Sequence, residues 1–241
     1  MKPDASDLDN PGKVLSGLLG LMVHDLRSPL TALQSNLDYV CRDPAASADA
    51  KDAIVDGLLS CDALAHMIDN CDLLALALGA SSQPPLGEVA VHEVVADVIA
   101  QSTGVAASYG QAIEVKESPI EAGGELRALS DVKMLSRALA NLVRNSVQHS
   151  PPRSTLHVSS HQKQGSVEIW VEDQGPAVPD DLRTSLFTAE GQLSSKLHRG
   201  RYSRAMGLYC ARIAAERCGA QLSIEDHQGV NNTFVLRLAA V

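Results

Sequence analysis

The stretch Asp131–Pro151, DVKMLSRALANLVRNSVQHSP, decides the fold. Its run from Val132 to Gln148 is strongly amphipathic with a helical period, and it is set among short segments rich in β-branched residues. Thr155 to Ser160 and Ser166 to Val171 follow as strands, with a Gly/Pro turn after them. Before it, Val89 to Val91 and Ile113 to Val115 read as strands and His92 to Gln101 as a helix. Beyond the turn lie a loop without clear period, from about Thr188 to Arg204, and a helix from Gly207 to Cys218. Two closing strands, Gln221 to Glu225 and Thr233 to Leu238, form a hairpin around His227 to Asn232. Strands and helices mixed in this order predict a two-layer α/β sandwich.

Working outward toward the N-terminus, the period becomes purely helical. Leu15, Leu19, Met22, Leu26, Leu30, Leu33, Leu37 and Val40 follow in steps of three and four, one stripe on a long helix. After a break around Asp43, Pro44 and Ala45, a second stripe runs Leu58, Cys61, Leu64, Ile68, Cys71, Ala75 and Leu78. An antiparallel hairpin follows, and a two-helix hairpin buries little by itself, so a homodimer joined as a four-helix bundle is expected. Gly79 to Gly87, GASSQPPLG, reads as an interdomain linker. The expected organisation is therefore α+β: a helical hairpin over 1–80, a linker over 81–87 and an α/β domain over 88–241.

Composition narrows the function classes. Of the 241 residues 45% are apolar and 20% charged, too apolar for disorder. The longest apolar run, Val14 to Val23, is cut by Ser16 and two glycines and falls short of the ~20 residues a bilayer requires, so no membrane span or secretory signal is expected and a cytoplasmic location is. A net charge of −9 opposes wrapping on nucleic acid or an acidic membrane. The five cysteines show no CxxC spacing, which points to reduced core residues rather than a metal site.

At 100° per residue His24 lies about 200° from Met22, so its imidazole faces solvent with Ser28 one turn on and Asp25 beside it. Pro29 removes the hydrogen bond to the Asp25 carbonyl, which lets the helix bend there. An exposed imidazole offers a nitrogen lone pair as nucleophile. The string His24 to Leu30, HDLRSPL, resembles the H box of the commonest two-component histidine-kinase family. That resemblance implies His24 as the phosphoacceptor, Asp25 as the residue assisting transfer to it, and Ser28 as the position implicated in dephosphorylating the partner regulator.

Asn141 and Asn145 stand four apart on one helix face, where two carboxamide oxygens can converge on an ion or ligand. The string from Asp131 to Pro151 is similar to the family's N box, which assigns Asn145 to Mg²⁺ and Asn141 to the phosphate side of an ATP pocket. VEDQGPAVP, Val171 to Pro179, looks like the first glycine box, with Asp173 accepting from the adenine amine and Gly175 admitting the ring. Gly207 aligns with the start of the family's last helix, where backbone N–H groups meet phosphate. Ala177 replaces a glycine of the family pattern, glycines are missing from Ser203 to Met206, and Gln148 stands where a basic residue is frequent. Lys196, Arg199, Arg201 and Arg204 could supply phosphate-binding charge in their place.

The resemblance spans about Lys13 to Val241 and implies a dimeric histidine kinase with an ATPase domain of the GHKL type. It would phosphorylate His24 from ATP·Mg²⁺ and pass the phosphoryl group to an aspartate of a response-regulator receiver domain. A phosphotransferase relay with a degenerate nucleotide domain and a non-enzymatic pseudokinase scaffold are the alternatives. The first helix begins within a few residues of the N-terminus, which leaves the signal to a separate sensor protein or to a segment outside this chain.

Overall fold

The computed structural model describes residues 11–42, 44–79, 82–116, 125–194, 206–226 and 232–241. The chain divides into two compact units, Met1–Ser82 and Gln83–Val241. Among the described residues no helix is long and apolar enough to cross a membrane.

The first unit is a hairpin of α1 (Pro11–Cys41) and α2 (Ala48–Leu78), helical without interruption through Pro29. Ser47 caps α2 by accepting from Ala50 N at 3.2 Å, and the helices run antiparallel with Arg27 reaching Asp69 at 2.7 Å. The single predicted stripe resolves into two series, each in steps of seven. On α1, Val23 and Leu30 are buried and Leu37 packs on them. On α2 the buried series is Ile54, Cys61, Ile68 and Ala75. Leu26, Leu33 and Val40 on α1 and Leu64 and Leu78 on α2 are exposed. The expected single stripe is thus corrected: of its residues Leu30 and Leu37 join Val23 in the intrachain seam, while Leu26, Leu33 and Val40, offset by three residues and so about 60° around the helix, form a second apolar edge.

The second unit contains β1 (Gly87–Ala90), α3 (Val91–Ser108), β2 (Ala112–Lys116), β3 (Arg127–Ser130), α4 (Val132–His149), β4 (Thr155–Lys163) and β5 (Ser166–Asp173). It continues with α5 (Asp180–Arg183), α6 (Ala189–Ser194), α7 (Gly207–Arg217), β6 (Gln221–Glu225) and β7 (Asn232–Ala239). A five-stranded sheet has the order β2-β4-β5-β7-β6, parallel only between β2 and β4, while β1 and β3 form a separate antiparallel pair. The α/β sandwich is as expected. Strand β3 and helices α5 and α6 are additions, and α6 lies inside the segment expected to be a loop.

Helix α4 packs between α3 and α7 and presents Leu135, Ala138, Leu139, Leu142 and Val143, all fully buried, to the core. Asp131 caps it, Oδ1 accepting from Met134 N at 2.8 Å. Asp131→Ala should cost about 1 kcal/mol, the usual worth of an acidic N-cap, seen as a lower urea midpoint with unchanged slope. On the core face of β5, Val167, Ile169 and Val171 pair across with Leu238, Leu236 and Phe234 of β7. The same two-residue period ends this apolar row on Asp173 opposite Asn232. The other face holds Glu168, fully buried, whose carboxylate accepts from Arg237 Nε at 2.7 Å and Trp170 Nε1 at 3.0 Å. Burial raises its pKa, but these two donors together with the charges of Arg237 and Lys163 outweigh burial and hold it below the usual carboxylate range. Cys61, Cys210 and Cys218 are buried, Cys41 and Cys71 half-buried, and none of the five forms a disulfide.

Candidate nucleotide site

Five of the residues singled out from the sequence, Asn141, Asn145, Asp173, Gly175 and Gly207, lie on or against the C-terminal half of α4. Asn141 is buried and its Nδ2 donates to Arg137 O at 3.0 Å, which leaves Oδ1 buried with no hydrogen-bond partner among the described residues. That oxygen lies 3.7 Å from where a Cβ on Gly207 would stand, so it faces the first residue of α7. Among the described residues helix α7 has no side-chain N-cap, and it has no acidic residue in its first turn. Its N-terminal end keeps its partial positive charge and its first N–H groups for an anion. Asn145, one turn beyond Asn141, is half-buried.

Asp173 is 1% exposed. Its Oδ1 accepts from Gly175 N at 2.9 Å and from Asn232 Nδ2 at 2.8 Å. Burial pushes its carboxyl above the usual range, opposed by the donors from Asn232 and Gly175 and by the nearby Ser146 hydroxyl. Ser146 is itself fully buried on α4, and its Oγ makes no hydrogen bond of good geometry among the described residues. Gly175 is required for space: a Cβ there would meet Asp173 Oδ1 and the His149 carbonyl oxygen, each at 3.1 Å. The loop after β5 therefore lies directly on the C-terminal end of α4. Asn232 and Ser146 were not marked by any local pattern; the only trace in the sequence is that Asn232 precedes the alternating Phe234, Leu236 and Leu238 by one two-residue step.

His24 and Ser28 are exposed on α1 in the other unit, and the side chain of Asp25 lies outside the described residues. Three residues after His24, Arg27 spans the hairpin to Asp69 at 2.7 Å and Asp72 at 3.7 Å. Lys196, Arg199, Arg201 and Arg204 also fall outside the described residues. Ala177, at the position of the missing glycine, is exposed on the loop, and Gln148 is half-buried.

The donor set suits Mg²⁺ held mainly by a ligand's own oxygens. Among the described residues no cluster of three His, Cys, Asp or Glu could hold a metal alone, whereas amide oxygens on α4 are hard ligands of the right kind, and Asn141 Oδ1 is an unused one.

Residues 130–241 match the family described as histidine kinase-, DNA gyrase B-, and HSP90-like ATPase. That match covers α4 through β7 of the second unit. Over 233 residues the chain is 27% identical to the sensor protein IrlS of Burkholderia pseudomallei, covering 97% of this chain and 49% of that protein. Over 218 residues it is 25% identical to the sensor-like histidine kinase SenX3 of Mycobacterium tuberculosis, covering 90% and 52%. The fold is shared with full-length ShkA, solved in complex with AMPPNP, at a TM-score of 0.62 and 19% identity over 93% of this chain and 46% of that one. The chain spans about half the length of the curated relatives it matches. Family match and relatives make the chain similar to sensor histidine kinases, and the solved structure shares its fold.

Proposed function

We propose that this chain is an ATP-dependent histidine kinase: ATP binds where α4, the loop after β5 and the start of α7 meet, and His24 takes the γ-phosphoryl group. One observation carries the reading. A buried, unused amide oxygen on Asn141 faces an uncapped helix N-terminus, and the same helix ends against the loop of a buried carboxylate, Asp173. The first pair suits phosphate and its cation; the second suits a nucleobase amine. Asn145 would hold Mg²⁺, which when bound neutralises charge on the transferring group. Positioning and neutralisation are most of what phosphoryl transfer needs. The imidazole nitrogen of His24 forms the new bond to phosphorus as the bond to the leaving ADP oxygen breaks, with Asp25 beside it to take or orient the other ring proton. From His24 the group passes to an aspartate of a response-regulator receiver domain, with Ser28 acting on the reverse, dephosphorylating step. On this reading residues 1–80 are the phosphoacceptor hairpin and 88–241 the nucleotide domain, and the ligand places the reaction in the cytoplasm. The relatives named as sensor histidine kinases support it. The test is incubation of the pure chain with γ-labelled ATP, and acid-labile label on the protein is the expected result.

A second copy of the chain covers the exposed edge of the hairpin. Leu26, Leu33 and Val40, 52%, 49% and 45% exposed, continue an apolar row that a monomer would leave in water. Light scattering at micromolar concentration should give twice the chain mass of 25.5 kDa, and Leu26→Glu with Leu33→Glu should return it to a single chain mass. A monomeric wild type would remove the bundle.

A further inference from the structure

We infer that Asn232 is a positioning residue of the nucleotide site: its amide pins the Asp173 carboxyl and the loop behind it in the arrangement that leaves Oδ2 to the ligand. This deepens the reading of the site as an ATP pocket and rests on it. Asn232 is 5% exposed and stands directly across the sheet from Asp173. Its Nδ2 donates to Asp173 Oδ1 at 2.8 Å and to Pro176 O at 3.1 Å, and its Oδ1 accepts from Val178 N at 3.0 Å. The last two bonds bracket Ala177, the residue that stands in place of a glycine, so one side chain fastens the loop on both sides of the departure. Oδ1 of Asp173 receives a further bond from Gly175 N at 2.9 Å, while no hydrogen bond reaches Oδ2 of good geometry among the described residues. With Oδ1 committed to two donors, the carboxylate cannot rotate without breaking both, and Oδ2 stays aimed as the acceptor. A neutral donor here also does what a cation would do less selectively, favouring the ionised acid in a buried place.

Among the described residues the groups facing this carboxyl are uncharged: Asn232 from β7, the Gly175 N–H from the loop and Ser146 from α4. The titratable side chain at the adjoining end of α4 is His149, whose carbonyl abuts Gly175. Calorimetric titration of the full chain with ADP, repeated from acidic to mildly basic pH, tests the assignment. Wild-type affinity should fall on acidification as Asp173 protonates. Asn232→Ala should weaken ADP by about tenfold, one charge-assisted hydrogen bond, and should move the acidic fall to higher pH. Asn232→Asp keeps the size and the acceptor for Val178 N but sets a second acid against the first, so it should move the fall further. His149→Gln should leave it in place. Affinity lost equally at every pH in both Asn232 variants, or a fall that moves with His149, would overturn the positioning role. Absence of ADP binding by the wild type would overturn the ATP-pocket reading itself.

Discussion

Replacing His24 with alanine should abolish acid-labile labelling from γ-labelled ATP while leaving ADP affinity and folding stability at their wild-type values. The loss is complete because the bond to phosphorus needs a nitrogen lone pair at that place on α1, and alanine has none. Stability should hold because the buried neighbour is Val23, 4% exposed, and His24 itself is exposed; surface substitutions of this kind stay within about 0.5 kcal/mol. Affinity should hold because Asn141, Asp173 and Gly207 all belong to the second unit. Label that survives in the variant would move the phosphoacceptor elsewhere. Were the wild type to take no label from ATP but accept phosphate on His24 from a phosphorylated receiver domain, the relay reading would replace the kinase. Neither reaction with a panel of receivers would leave the scaffold.

Asp173→Asn should weaken ATP by about 1.5–3 kcal/mol, or roughly ten- to a hundredfold, measured by calorimetry. Geometry dictates the sense of the replacement. Two N–H donors converge on the Oδ1 position, so the new amide places its oxygen there and its NH₂ at the Oδ2 position. A donor then faces the amine of the base, and both lose a partner. Stability should move the opposite way. Burial raises the folded-state pKa of Asp173, so its favourable contribution is present below the unfolded pKa and is lost as pH rises through the folded one. At neutral pH the acid is therefore a cost that the neutral amide does not carry, and the variant should be no less stable than wild type by urea denaturation. A variant that lost stability and affinity together would make Asp173 a structural acid. Unchanged ATP binding would remove it from the site.

The long elements were legible because each repeats one period for many residues: α1, α2 and α4 were readable from spacing, and the alternating β4, β5 and β7 from β-branched runs. Strand β3 is only Arg127–Ser130, four residues whose pairing with β1 depends on chain 37 or more residues away, as in Ala90 opposite Arg127. Helix α6 is held by contacts rather than pattern. Thr188 Oγ1 accepts from Gly191 N at 3.0 Å, and Gly191 comes so near Ser185 O that a Cβ would collide with it. The hairpin seam was half legible, since apolar identity shows which residues avoid water but not which of two edges faces the other helix. In the site, Asp173, Gly175 and the two asparagines of α4 stood out from motif resemblance. Asn232 did not, because its meaning comes from a strand register linking positions 59 residues apart. Ser146 did not because a serine inside a helix ordinarily faces water, and only its full burial distinguishes it.

Helix α4 serves two masters along one length. Its Leu135, Leu139, Leu142, Val143 and Val147 fill the core, while Asn141 and Ser146 sit between them. Any drift in core volume that rotates or slides this helix must also displace Asn141 Oδ1 from the start of α7 and the His149 carbonyl from Gly175. Over generations, then, the interior of this unit is not free to wander among apolar residues of equal bulk as an ordinary core is; selection on nucleotide handling would prune variants that fold well, and new core combinations on α4 would have to arise together with compensating changes on α7 or in the loop after β5.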